Sequence, residues 1–138
     1  MKKIFVDTDI CMDLLLMREP HYHDAQVLFT LGDEKKVKLY ISSLTFANLD
    51  YLLRQKHSGR EARQILSRFK LLVEVLNVDE KTITLSLSSD FTDFENAIQY
   101  YSAMENGIQM LITRNLSDYK KAEISVMTEA SYIAVETK

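Results

Sequence analysis

Tryptophan is absent, and 138 residues hold one proline, one cysteine and three glycines. So little Pro and Gly leaves no material for a flexible linker or a low-complexity tract, and no internal repeat is present. A single cysteine excludes an internal disulfide; Cys11 lies in the apolar run Ile10-Cys11-Met12, where a thiol packs as a small hydrophobe. No stretch of about 18 apolar residues occurs, and the opening MKKIFVDTDI lacks the apolar core and small-residue cleavage site of a secretion signal. A soluble, cytoplasmic protein with no membrane span is therefore expected. Excess positive charge is missing too: 17 Lys and Arg stand against 20 Asp and Glu, a formal net charge of -3. Such a balance gives no general attraction to nucleic acid, so RNA binding would require a local basic patch or cations that offset carboxylates.

What is present suits one domain over residues 1–138, since 46% hydrophobic content can fill a core at this size. Lys3 to Val6 is a β-prone run ending at Asp7, followed by a dense apolar helix from Ile10 to Met17. Pro20 fits the first turn of a second helix that ends near Gly32, and Val37 to Ser42 reads as a second strand. Ser43 is the expected N-cap of a helix through Leu53, with Gly59 separating it from a helix over Arg60 to Leu72. Val73 to Leu76 predicts a third strand, the Asp79 region a helix start, and Asp90 to Glu105 the longest helix, closed at Gly107. Met110 to Ile112 and Ile124 to Met127 are further strands, and Glu129 to Val135 a terminal helix. Alternating strands and helices call for an α/β fold: a Rossmann-like central parallel sheet of about four to five strands with helices on both faces. Ligands of such sheets bind beyond the carboxyl ends of the strands.

That rule places Asp7 and Asp9 after the first strand and Asn115 and Asp118 after Met110–Ile112, all at carboxyl strand ends. Asp93 and Asn96 lie three apart near the start of the long helix, and Asn48 lies about one turn into its own. Four segments can thus meet in one cleft. Its chemistry suits metal-assisted phosphodiester hydrolysis, with carboxylates holding Mg²⁺ or Mn²⁺ and leaving positions for water and phosphate. No nucleophile triad, Gly-rich phosphate loop or CxxC pair competes. Aspartates also cap helices and fill turns, so strand-end acids alone are weak signals.

Other residues carry ordinary readings beside functional ones. His21 and His23, two apart, point in different directions on a helix and suit surface or cap positions. Thr8 and Thr113 either orient a ligand or satisfy turn backbone. Arg114 can face phosphate or solvent, and the pairs Lys2-Lys3, Lys35-Lys36 and Lys120-Lys121 either rim an RNA surface or maintain solubility. Tyr100 and Tyr101 suit core or interface packing.

Taken in order, the motifs resemble a family. Phe5-Val6-Asp7-Thr8-Asp9 resembles the opening signature of PIN domains, and Ile112-Thr113-Arg114-Asn115-Leu116-Ser117-Asp118-Tyr119 resembles their Thr-Arg-Asn/Asp-x-x-Asp-Phe segment. Ser42-Ser43-Leu44-Thr45 and Asp93-Phe94-Glu95-Asn96-Ala97, followed by Tyr101-Ser102-Ala103, match the two blocks between. The resemblance spans nearly the whole chain. It implies a divalent-metal-dependent endoribonuclease acting on RNA and, for many small members, the toxin of a VapC-type toxin–antitoxin pair. The apolar runs Leu14 to Met17 and Leu44 to Leu72 suit the core by default, with a homodimer face or an antitoxin-protein groove as the alternative.

Carried over position by position, the resemblance implies Asp7, Asp93, Asn96 and Asp118 as catalytic residues and Asp7, Asn96 and Asp118 as metal ligands. Thr8, Asp9, Asn48, Thr113 and Asn115 are implied as support. Three positions depart from the family: Asn48 replaces a helix glutamate, Asn96 an aspartate and Asp9 the usual asparagine. An amide oxygen can ligate a hard cation but contributes no charge, so metal binding weakens. The competing reading is a catalytically weakened PIN domain that binds RNA or a protein.

Overall fold

The computed structural model describes residues 1–136, and the last two residues of the expected domain lie outside them. The chain runs β1 (Lys2–Val6), α1 (Thr8–Leu15), α2 (Tyr22–Asp33), β2 (Val37–Ser42), α3 (Ser43–Leu53), α4 (Gly59–Phe69), β3 (Glu74–Leu76), α5 (Glu80–Leu87), α6 (Phe94–Glu105), β4 (Met110–Ile112), β5 (Ser125–Met127) and α7 (Glu129–Glu136). Short 3₁₀ turns occupy Lys70–Leu72 and Leu116–Tyr119. All four strand pairings are parallel, in the order β3-β2-β1-β4-β5. This is the expected α/β sheet, with five strands.

Alternation along the strands divides the core into two. Ile4 and Val6 of β1 and Val37, Leu39 and Ile41 of β2 pack on one face against Ile10, Leu28, Leu49, Leu66 and Tyr132 from α1, α2, α3, α4 and α7. Phe5, Tyr40 and Leu111 point the other way, against Tyr100 and Ala103 of α6 and against Tyr119. The period of two along a strand produces this split, and both faces read as apolar because both are covered. Cys11 is fully buried, as its apolar neighbours imply.

Helix starts account for most shifted boundaries. Ser42, not Ser43, caps α3, its hydroxyl accepting the Thr45 amide at 3.3 Å, while the Ser43 hydroxyl accepts from Val78 N. Gly59 begins α4 instead of breaking the chain before it: Ser58 and Glu61 form a reciprocal capping box. That helix ends at Phe69, short of Leu72. Pro20 lies in the turn before α2, which starts at Tyr22. Asp93 accepts the Asn96 amide at 3.1 Å and so starts α6 four residues after Asp90. Each such cap contributes about 1 kcal/mol, enough to select one register of helix start over its neighbours. Gly107, just beyond α6, has φ +69, the conformation that favours glycine after a helix.

Strand order reverses between β1 and β4. The chain adds β2 and β3 on one side of β1, then returns to add β4 and β5 on the other. A crevice opens at the carboxyl ends of such a reversal, beyond Val6 and Ile112.

Candidate active site: an oxygen-lined cleft

At that crevice the Asp7 amide donates to the Ile112 carbonyl at 3.0 Å, extending the β1–β4 pairing by one bond and fixing where the Asp7 side chain emerges. Asp7 is 4% exposed. Its Oδ2 accepts from the Thr113 hydroxyl at 2.6 Å and its Oδ1 from Gln99 Nε2 at 3.0 Å. Burial raises the Asp7 pKa, the Thr113 and Gln99 bonds oppose that rise, and the nearby charges of Asp9 and Glu95 add to it. Two anions facing a buried carboxylate form a site that gains from positive charge.

The cleft holds about 320 Å³ and is lined by Asp7, Thr8, Asp9, Asn48, Tyr51, Leu52, Asp93, Glu95, Asn96, Asn115 and Asp118. It therefore brings together Asp7, Asp93, Asn96 and Asp118 and, from the supporting set, Thr8, Asp9, Asn48 and Asn115. Thr113 is fully buried behind Asp7 and does not line the cleft. Asp93 and Asn96 are related as cap and capped residue, and both stand on the cleft side of the start of α6. Asn115 Nδ2 donates to Asp9 Oδ2 at 3.1 Å, and its amide donates to the Thr113 hydroxyl at 3.1 Å, so the β4 exit segment holds the acids of the β1 exit.

Gln99 is the organising residue that the motifs did not single out. Fully buried on α6, it accepts the Thr8 amide and hydroxyl at 3.1 and 3.0 Å on Oε1. Its Nε2 reaches Asp7 Oδ1, Tyr119 OH at 2.9 Å and Asn96 Oδ1 at 3.3 Å, three acceptors for two hydrogens. Tyr119 OH also donates to Asn96 Oδ1 at 3.2 Å. The Asn96 carbonyl oxygen is thus engaged within the protein, and burial beside Asp7, Glu95 and Asp93 pushes the Tyr119 hydroxyl pKa well above its usual value. A polar side chain four residues before Ala103 on a packed face was the available signal for Gln99.

Asp13 is the second such residue. Its fully buried carboxylate accepts from Arg114 Nε at 2.8 Å, Arg114 Nη2 at 3.2 Å and Arg18 Nε at 3.1 Å. Arg114 accordingly turns away from any phosphate in the cleft. Two of the three lysine pairs do not rim it either: Lys2-Lys3 and Lys35-Lys36 sit at the amino ends of β1 and β2, and Lys2 pairs with Glu136 and Lys36 with Glu34.

An all-oxygen donor set suits a hard divalent ion such as Mg²⁺ or Mn²⁺ over a soft one. Among the described residues no three His, Cys, Asp or Glu side chains form a ready-made metal-holding group. Mg²⁺ commonly uses one or two carboxylates and retains waters, so the residues fit an ion held by Asp7 and one further acid, not one enclosed by protein.

The fold and site define a parallel α/β domain with an acidic cleft at its strand reversal, the place where ligands of such sheets bind. The family comparison makes this specific: the PIN domain matches residues 3–117, and the chain belongs to that family. A comparison with curated proteins gives no match. Among solved structures, the fold is similar to that of a toxin–antitoxin complex from Klebsiella pneumoniae (22% identity, TM-score 0.68, covering 91% of this chain and 97% of that one). It is also similar to DNA-bound VapBC from Salmonella typhimurium (18%, 0.68, 92% and 97%) and to Mycobacterium tuberculosis VapC20, a sarcin-ricin loop cleaving toxin (20%, 0.62, 78% and 86%). No helix among the described residues is long and apolar enough to cross a membrane.

Proposed function

We propose that this PIN-domain chain is a metal-dependent endoribonuclease that hydrolyses RNA phosphodiester bonds, with Mg²⁺ or Mn²⁺ as cofactor and an antitoxin protein as partner. The observation that carries the reading is the buried Asp7 carboxylate at the floor of an oxygen-lined cleft, held by Thr113 and Gln99 and facing Asp9 and Glu95. When bound, the ion would neutralise phosphate charge and lower the pKa of a water to make a nucleophile. Asp7 is the residue best placed to hold it, with Asp118 and the Asn96 amide in the same cleft. Thr113 and Gln99 fix both Asp7 oxygens, so the carboxylate is oriented before substrate arrives, and Asn115 restrains Asp9. Asp93 holds the start of α6 and so sets where Asn96 and Gln99 stand. The antitoxin partner follows from relatives described as a toxin and as a toxin–antitoxin complex. Mn²⁺-dependent cleavage of RNA by the wild-type chain, abolished in Asp7→Ala, tests this reading; equal cleavage by Asp7→Ala rejects it.

One observation favours a second reading. The Asn96 oxygen already accepts from Tyr119, and among the described residues no three acids are grouped to hold an ion. A catalytically weakened domain that binds RNA or protein fits these facts, and activity that appears only in Asn96→Asp would select it.

A further inference from the structure

Four of the six arginines of this chain, Arg54, Arg60, Arg63 and Arg68, fall within fifteen consecutive residues. From Arg54 to Lys70 there are six Lys and Arg against one acid, Glu61, in a chain whose net charge is -3. The fold places them together. Arg54 follows the last residue of α3, and Arg60, Arg63, Gln64, Ser67 and Arg68 repeat at helical spacing on α4, opposite the buried Ala62, Leu66 and Phe69. These residues line a broad hollow of about 870 Å³. Gly59 forms part of its floor, where the Arg54 guanidinium lies so close that a Cβ at Gly59 would collide with it.

Charge on a solvated helix normally mixes signs so that side chains pair. Here Arg54 has one exposed i,i+4 partner, Asp50 at 3.3 Å, and Glu61 is used in the Ser58 capping box. Among the described residues the guanidinium groups of Arg60, Arg63 and Arg68 have no hydrogen-bond or ion-pair partner. Arginine's planar fork matches phosphate oxygens in a way that a surface lysine does not. The stripe from Arg60 to Arg68 spans about 12 Å at 1.5 Å per residue, a length over which a nucleic-acid backbone presents several phosphates.

The stripe also begins close in sequence to a wall of the acidic cleft. Asn48, Tyr51 and Leu52 of α3 line the cleft, and Arg54, the residue that caps the end of α3, is two residues beyond Leu52. Tyr51, in the cleft wall three residues before Arg54, has 69% of its surface exposed, an unusual position for a large aromatic ring. An exposed ring beside a row of unpaired cations is the arrangement that holds single-stranded nucleic acid: the base stacks and the backbone is neutralised.

We propose that the α3–α4 arginine surface is a docking track for single-stranded RNA, with Tyr51 stacking a base at the mouth of the cleft and Arg54, Arg60, Arg63 and Arg68 holding the phosphates that leave it. The track supplies the local positive charge that the net charge denies. It rests on the ribonuclease reading for its orientation, but its test does not require cleavage.

The test is anisotropy of labelled single-stranded polyuridine of about 20 nucleotides with the full chain in EDTA, over a range of salt. Arg60→Gln/Arg63→Gln/Arg68→Gln should weaken binding roughly tenfold or more and flatten the log–log salt slope by about 2, since three phosphate contacts are lost at about 0.7 each. The matching triple lysine variant should retain most of the slope, and Tyr51→Ala should weaken binding about tenfold without changing it. Unchanged affinity and slope in the folded glutamine triple, with folding read by circular dichroism, would overturn the proposal. So would tight binding of polyglutamate together with none of RNA, which would make the surface a site for acidic protein. Absence of cleavage by every variant alongside arginine-dependent RNA binding would remove the nuclease reading and leave the track.

Discussion

The Thr113 hydroxyl donates to Asp7 Oδ2 at 2.6 Å, joining the residue that follows β4 to the residue that follows β1. The bond spans 106 positions of sequence and closes the cleft floor. Removing the donor leaves a buried carboxylate oxygen without this partner, so Thr113→Val should lower stability by about 1–3 kcal/mol in urea unfolding, while Thr113→Ser should recover most of the loss. A Thr113→Val protein as stable as wild type would show that this bond is dispensable.

Gln99 joins four residues of the site through one amide. Gln99→Leu keeps the volume but leaves the Thr8 hydroxyl, Asp7 Oδ1 and Tyr119 OH without their shared partner, and a cost of about 2–4 kcal/mol is expected. Gln99→Glu brings a second carboxylate against buried Asp7, so its destabilisation should grow as pH rises from 4 to 8. Denaturant titrations at both pH values separate the two variants; a pH-independent loss in Gln99→Glu contradicts the assigned contacts.

Asp13 lies fully buried between Arg114 and Arg18. Breaking such a pair strands charge, so Asp13→Ala should cost about 3–5 kcal/mol, measured as the shift in chemical unfolding, and added salt should change the wild-type value little because the carboxylate is shielded from solvent. A loss below about 1 kcal/mol would place the ion pairs among the weak surface kind.

How far the sequence reveals the site depends on whether a residue's role is local. Asp7, Asn115 and Asp118 follow strands whose apolar runs are plain, so the strand-end rule places them without tertiary information. Asp93 at the start of α6 is also readable as a cap. Gln99 and Asp13 were missed because each is polar within an apolar stretch and acquires meaning only from distant partners: Tyr119 for the one, Arg114 for the other. Both could have been marked by asking what satisfies a lone polar group on a buried face. Glu95, quoted within a motif, became notable only when folding set it near Asp7. The α4 arginines went unremarked because a sequence count dilutes a patch that helical spacing concentrates.

Glu129 gives the fold its own pH dependence. It is 3% exposed, one carboxylate oxygen has no hydrogen-bond partner among the described residues, and burial together with the nearby Asp13 charge pushes its pKa up to about 7 from 4.5. The folded chain therefore holds this proton more tightly than the unfolded chain. The contribution is fully present below the unfolded value, declines as pH rises through 7, and is lost above it. Glu129→Gln should add on the order of 1 kcal/mol at pH 8 and almost nothing at pH 4.5, read from unfolding midpoints at the two pH values. An equal effect at both pH values would contradict the buried, protonated carboxyl.

In the proposed reaction the cleft around Asp7 uses a divalent ion to cut RNA. Cleavage of a single-stranded RNA by the full chain, followed as Mn²⁺ is titrated from none to millimolar, tests it most directly when wild type, Asp7→Ala and Asn96→Asp are run side by side. Metal-dependent cleavage by wild type, its loss in Asp7→Ala and a gain at lower Mn²⁺ in Asn96→Asp are expected. Cleavage that persists in Asp7→Ala, or that never depends on the metal, would contradict the claim.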